Sequence, residues 1–131
     1  MSSYENLLST AKEASQNSYS PYSKFSVGAA ILFTSGNIYK GCNIENASYG
    51  LSLCAERTAI ANSISAGEKS KIEAIAIYSP NQKKCLPCGA CRQWLYEFAS
   101  DDTKIILEDE NSNPMVLTLA DIFPYGFKIE N

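Results

Sequence analysis

Lys104-Ile105-Ile106-Leu107-Glu108 and Met115-Val116-Leu117 are two apolar, β-prone runs joined by Asp109-Glu110-Asn111-Ser112-Asn113-Pro114, a link of six residues. Two parallel neighbours need a crossover of roughly a dozen residues or more, whereas antiparallel neighbours need only a turn. The link is also made of Asp, Asn, Ser and Pro, the residues that turns use. The spacing therefore predicts that the last two strands pair antiparallel. What lies upstream decides the kind of sheet they finish.

Ile72 to Tyr78 reads as the strand before this pair, and the segment from Cys88 to about Ala99 as the helix that crosses between them. Phe25 to Phe33 and Ile38 to Cys42 read as the first two strands, with Ser35-Gly36 supplying hairpin chemistry. A helix is predicted from about Cys54 to Ala66, with Gly67 as its stop. Ser2 with Glu5 makes a capping box for a first helix, in which Leu7, Leu8, Ala11 and Ala14 recur at helical spacing to about Gln16. Leu119 to Phe123 reads as a last helical turn before Pro124. The order is α-β-β-α-β-α-β-β. It predicts a three-layer α/β/α sandwich on one mixed five-stranded sheet, with helices on both faces.

The bulk numbers agree with one domain over residues 1–131. Apolar residues make up 45% of the chain, enough for a core of that size. No apolar run approaches a membrane span, and Met1-Ser2-Ser3-Tyr4-Glu5-Asn6 lacks the basic and apolar regions of an export signal. A cytoplasmic protein is expected. Net charge is −3, and Lys83-Lys84 is the only adjacent basic pair, which argues against a nucleic-acid partner and for a small uncharged one.

Five cysteines in such a chain suggest metal or redox chemistry over disulfides. Cys88 and Cys91 have the C-x₂-C spacing of paired zinc ligands, and Cys54 offers a third thiolate. Three protein ligands leave a fourth tetrahedral position open, the layout of a catalytic zinc. Both clusters lie where a helix begins, where unpaired N–H groups favour thiolates. Cys85-x₂-Cys88 is a second C-x₂-C, so spacing alone leaves the pair open, as it leaves open a closed structural site with Cys85 or Cys42 as fourth ligand. Pro87, favoured in a first helical turn, speaks for Cys88 and Cys91 on one helix. Three thiolates on Zn²⁺ carry net negative charge, and Arg57, three residues after Cys54, or Arg92, next to Cys91, could offset it. The chain has no histidine, so Glu56 is the natural general acid/base. By helical periodicity, however, it stands about 200° around from Cys54, the position of a solvated side chain.

Four stretches bear on this: Tyr22-Ser23-Lys24-Phe25-Ser26-Val27-Gly28-Ala29-Ala30, Gly41-Cys42-Asn43-Ile44-Glu45-Asn46-Ala47-Ser48-Tyr49, Cys54-Ala55-Glu56-Arg57 and Pro87-Cys88-Gly89-Ala90-Cys91-Arg92-Gln93. In order, from about residue 5 to Phe127, the chain resembles cytidine deaminase in its short, three-cysteine, homotetrameric form. The resemblance implies that Cys54, Cys88 and Cys91 hold one zinc, and that Glu56 moves protons between the attacking water, the cytosine ring and the leaving amine. It also implies that Asn43 and Glu45 bind the ribose hydroxyls, and that Phe25 packs on the nucleoside. Ala47, Tyr49 and Phe127 would belong partly to a neighbouring subunit's pocket, and Arg57 would balance charge. The residues themselves support this unevenly. Asn43 and Glu45, two apart in an extended loop, can point the same way, whereas by pattern alone Phe25 reads as core and Asn43 as a turn residue.

The expected reaction is hydrolytic deamination of cytidine and deoxycytidine in pyrimidine salvage. Rivals are deamination of another aminopyrimidine nucleoside-like compound, deamination of bases within RNA or DNA, and a zinc-binding interaction module. The short Asp109–Pro114 link and the negative charge count against a polynucleotide substrate.

Overall fold

The computed structural model describes residues 3–129. Its elements are α1 (Ser3–Ser15), β1 (Gly28–Phe33), β2 (Ile38–Cys42), a 3₁₀ turn (Tyr49–Leu51), α2 (Ala55–Ser65), β3 (Ile72–Tyr78), α3 (Gly89–Phe98), β4 (Lys104–Glu108), β5 (Pro114–Thr118) and α4 (Leu119–Ile122). The five strands form one sheet in the order β2-β1-β3-β4-β5. β1 runs antiparallel to both β2 and β3, β3 is parallel to β4, and β4 is antiparallel to β5. The antiparallel last pair is what the short link requires, and the mixed sheet is what the order of elements predicts. Glu108 pairs with Pro114, which opens the edge strand at a position where a missing N–H is tolerated.

Strand alternation divides the core into two. Ala29, Ile31 and Phe33 of β1, Ile75 and Ile77 of β3 and Ile105 and Leu107 of β4 pack with Ala55, Ala59 and Ile60 of α2 and Leu95 of α3. Ala30, Ala74, Ala76 and Ile106 point to the other face and pack on Leu7, Leu8 and Ala11 of α1. Each buried Ile or Leu contributes about 1.5–3 kcal/mol. The small residues of the second face let α1 lie close. A Cβ on Gly28 would come 2.0 Å from the Ala11 carbonyl oxygen. On the opposite face, a Cβ on Gly41 would come 2.4 Å from the Ala59 nitrogen, so α2 rests on the backbone of β2. The first contact sets how closely α1 lies on β1, the second how closely α2 lies on β2.

Several boundaries differ from expectation. β1 starts at Gly28 rather than Phe25 because the Ser26 and Val27 N–H groups donate to the side chains of Asn81 and Asn43 instead of to a strand. Cys54 and Cys88 are caps outside their helices, not first turns within them. The loop after β2 contains the unforeseen 3₁₀ turn. Ser2, the expected cap of α1, lies outside the described residues.

Candidate active site

Cys54 caps α2 and Cys88 caps α3, both in extended conformation (φ −76°, ψ 155° and φ −67°, ψ 172°), and neither side chain caps its own helix. The first N–H groups of both helices are left to serve charge nearby. Cys91 sits buried near the start of α3. The Sγ atoms of Cys88 and Cys91 are 3.4 Å apart, those of Cys54 and Cys88 4.0 Å, and all three lie within 4.8 Å of one another. Thiolates on a tetrahedral zinc, with Zn–S near 2.3 Å, stand about 3.8 Å apart. The trio therefore fits a metal ion. Among the described residues, neither Cys85 nor Cys42 joins it, and no other group of three such ligands converges.

Arg57 Nη2 donates to Cys54 Sγ at 3.3 Å, and its buried Nε has no hydrogen-bond partner among the described residues. That is a cation aimed at sulfur. The hydrogen bond from Cys91, with help from Arg57 and Cys88, pulls the Cys54 thiol down to about 5 against the cost of burial. Cys91 is pushed up, first because its proton is the one given to Cys54, then by burial.

Glu56 is 4% exposed. Because Cys54 stands outside the helix, the 200° separation does not apply, and both residues line one cleft of about 540 Å³. Burial pushes the Glu56 carboxyl up to about 7, with the Cys54 charge adding to the rise. Phe25, Asn43, Glu45 and Tyr49 line the same cleft.

Asn43 and Glu45 are held before any ligand arrives. Asn43 Oδ1 accepts from Val27 N (2.9 Å) and from the Ser18 hydroxyl, and Nδ2 donates to Phe25 O (2.8 Å). These partners fix which amide atom is which and leave one Nδ2 hydrogen free. Glu45 accepts from Tyr22 N (3.0 Å), Ser23 N (3.2 Å) and the Ser23 hydroxyl. The hydroxyl first, then the two N–H groups, hold its carboxyl below the usual range.

The chain matches the family model described as the zinc-binding region of cytidine and deoxycytidylate deaminases over residues 1–107. A cytidine deaminase of Halalkalibacterium halodurans is 41% identical over 125 residues, which is 95% of this chain and 94% of that one. Among solved structures, cytidine deaminase from Burkholderia pseudomallei is 38% identical with a TM-score of 0.88, covering 97% of this chain and all of that one. The enzyme from Mycobacterium tuberculosis is 36% identical with a TM-score of 0.84, covering 98% and 100%. This chain belongs to the cytidine deaminase family.

Against that family's pattern, the remaining expected residues fall in different places. Arg92 does not reach a sulfur. Its Nε donates to Pro87 O (2.8 Å) and its Nη1 to Ile122 O (2.7 Å), so it ties the loop before Cys88 to α4. Tyr49 is 76% exposed, edge-on to Tyr22 at 6.2 Å. Ala47 and Phe127 are exposed and do not line this cleft, and the Phe127 carbonyl accepts from Gln93 Nε2 at 2.8 Å. Sequence reasoning missed Ser23, Gln82, Cys85 and Leu86 as cleft residues. Ser23 lies in Tyr22–Ala30, among the residues that carry the family resemblance. The other three sit in a loop between β3 and α3 whose path no periodicity reveals.

Proposed function

We propose that this chain is a zinc-dependent hydrolase that converts cytidine and deoxycytidine, with water, to uridine and deoxyuridine plus ammonia. The observation that carries the reading is the convergence of three thiols beside one buried carboxyl, at a cleft that Cys54, Cys88 and Glu56 line together with Asn43 and Glu45. Cys54, Cys88 and Cys91 would hold one zinc per chain. Bound zinc would supply the Lewis acidity that makes water nucleophilic near neutral pH.

The protein's own groups do the rest. Glu56, with its carboxyl near 7, takes a proton from the attacking water and gives it to the ring nitrogen beside C4. It then takes the second proton, from the hydroxyl now bonded to C4, and delivers it to the amine, so that the C4–N bond breaks and ammonia leaves. A group titrating near the working pH can act as both base and acid. Arg57 donates to Cys54 and so offsets thiolate charge. The free Nδ2 hydrogen of Asn43 donates to one sugar hydroxyl and Glu45 accepts from one. Phe25 packs on the nucleoside.

The same reading makes residues 1–131 a single catalytic domain that works as a homotetramer, with Ala47, Tyr49 and Phe127 reaching pockets shared between subunits. It serves pyrimidine salvage in the cytoplasm and takes no nucleic acid. No helix among the described residues is long and apolar enough to cross a membrane. The test is ultraviolet absorbance of the purified protein with cytidine, with zinc assayed on the same sample. Conversion to uridine with about one zinc per chain is expected. Bound zinc with cytidine unchanged would reject the substrate.

A further inference from the structure

Ser23 is an exposed serine whose hydroxyl is nevertheless engaged at both ends. It donates to a carboxylate oxygen of Glu45 and accepts from the Phe25 N–H at 3.0 Å. An exposed serine ordinarily leaves its hydroxyl to water. Here it joins the carboxylate expected at the sugar to the backbone of the aromatic residue expected against the nucleoside. The turn that presents it is strained, since Lys24 has φ +60°, a left-handed conformation that side chains other than Gly and Asn adopt at a cost. The turn persists because the Tyr22 and Ser23 N–H groups close on Glu45 and the Phe25 carbonyl is held by Asn43.

A carboxylate offers about four acceptor sites. Tyr22 N–H, Ser23 N–H and the Ser23 hydroxyl use three of them. One remains for a ligand, and its direction is set by the bonds that fill the others. Without the Ser23 hydroxyl, the carboxylate keeps only its Oε1 partners and can swing about them.

We propose that Ser23 is a positioning residue that aims Glu45 at a sugar hydroxyl of the substrate, an inference that rests on the nucleoside deaminase reading above. It does not touch the reacting atoms. Its effect belongs to substrates that carry the hydroxyl and to KM more than kcat.

The test compares cytidine with 2′,3′-dideoxycytidine, which keeps the base and lacks both ring hydroxyls, on the zinc-loaded protein, Ser23→Ala and Ser23→Thr. Ser23→Ala should lose about tenfold in kcat/KM on cytidine, the scale of one hydrogen bond to a charged group. Most of the loss should appear in KM. On dideoxycytidine it should lose less than about twofold, because there is no hydroxyl to aim at. Ser23→Thr keeps the Oγ and should recover most of the cytidine loss. Equal losses on the two substrates, or no loss on cytidine, would overturn the assignment. If the unsubstituted protein leaves cytidine unchanged, it is the deaminase reading itself that fails.

Discussion

Glu56 shows two opposing effects on one residue. It sits in the first turn of α2, where the helix dipole favours a carboxylate by about 0.3–1 kcal/mol. Burial opposes this and wins, lifting the group to about 7 with further help from the Cys54 charge. The result is a side chain near half-protonation at neutral pH, suited to taking a proton and returning it. Glu56→Gln keeps the shape and removes the titration. It should retain bound metal and far-ultraviolet dichroism while losing at least about a hundredfold in kcat; near-normal turnover would remove the shuttle role. The ligands can be separated in the same way. Cys88→Ala should lose the metal, since its sulfur lies between the other two at 3.4 and 4.0 Å. Cys85→Ala should keep it, because Cys85 stands outside the trio, its thiol pushed up to about 11 by burial. Metal retained by the first variant and lost by the second would move the ligand assignment to the other C-x₂-C pair. Spacing alone left those pairs equal, and the path of the chain into α3 separates them.

At the scale of elements, the fold was legible wherever a count or an alternation decided it. The six-residue link predicted the antiparallel β4–β5 pair, and the alternation of helices and strands along the chain predicted helices on both faces of a mixed sheet. Features set by contact between distant segments were not legible. Nothing local in Phe25-Ser26-Val27 reveals that asparagine side chains from two other segments take its N–H groups. The same holds for Glu68. Its carboxylate accepts from Ser35, Asn37 and Tyr39 of the β1–β2 hairpin and from the N–H and hydroxyl of Ser70. It thereby ties that hairpin to the link between α2 and β3. Hydrogen bonds, that from Asn37 foremost, hold its carboxyl at about 2 against an ordinary 4.5. A lowered carboxyl stabilises the fold above the unfolded value and loses that contribution as pH falls through the folded one. Glu68→Gln should thus melt below the unsubstituted protein at pH 7, and the gap should close between pH 4.5 and about 2. Thermal unfolding followed across that range reads it directly. A gap independent of pH would mean the latch does not depend on charge.

The whole molecule leaves Tyr49, Leu51, Tyr125 and Phe127 exposed. Single exposed apolar side chains are ordinary, but where several adjoin they mark a surface that another chain covers. Gln93 holds the backbone of Phe127 in place, so the tail presents its ring outward from α3 rather than into the chain's own cleft. In the proposed tetramer this ring would complete a neighbour's pocket, which would make activity a property of pairs of chains. Glu56→Gln destroys the proton shuttle of its own pocket but carries a sound Phe127. Phe127→Ala keeps a sound Glu56 but impairs the pocket next door. Coexpressed at equal amounts with distinct tags and purified as mixed oligomers, the two should give about a quarter of pockets with both groups intact, if chains assemble at random around closed symmetry. Turnover at low cytidine should then exceed the average of the two variants prepared separately. Mixed oligomers that show only that average would place Phe127 outside any shared pocket, and the exposed aromatic tail would need another partner.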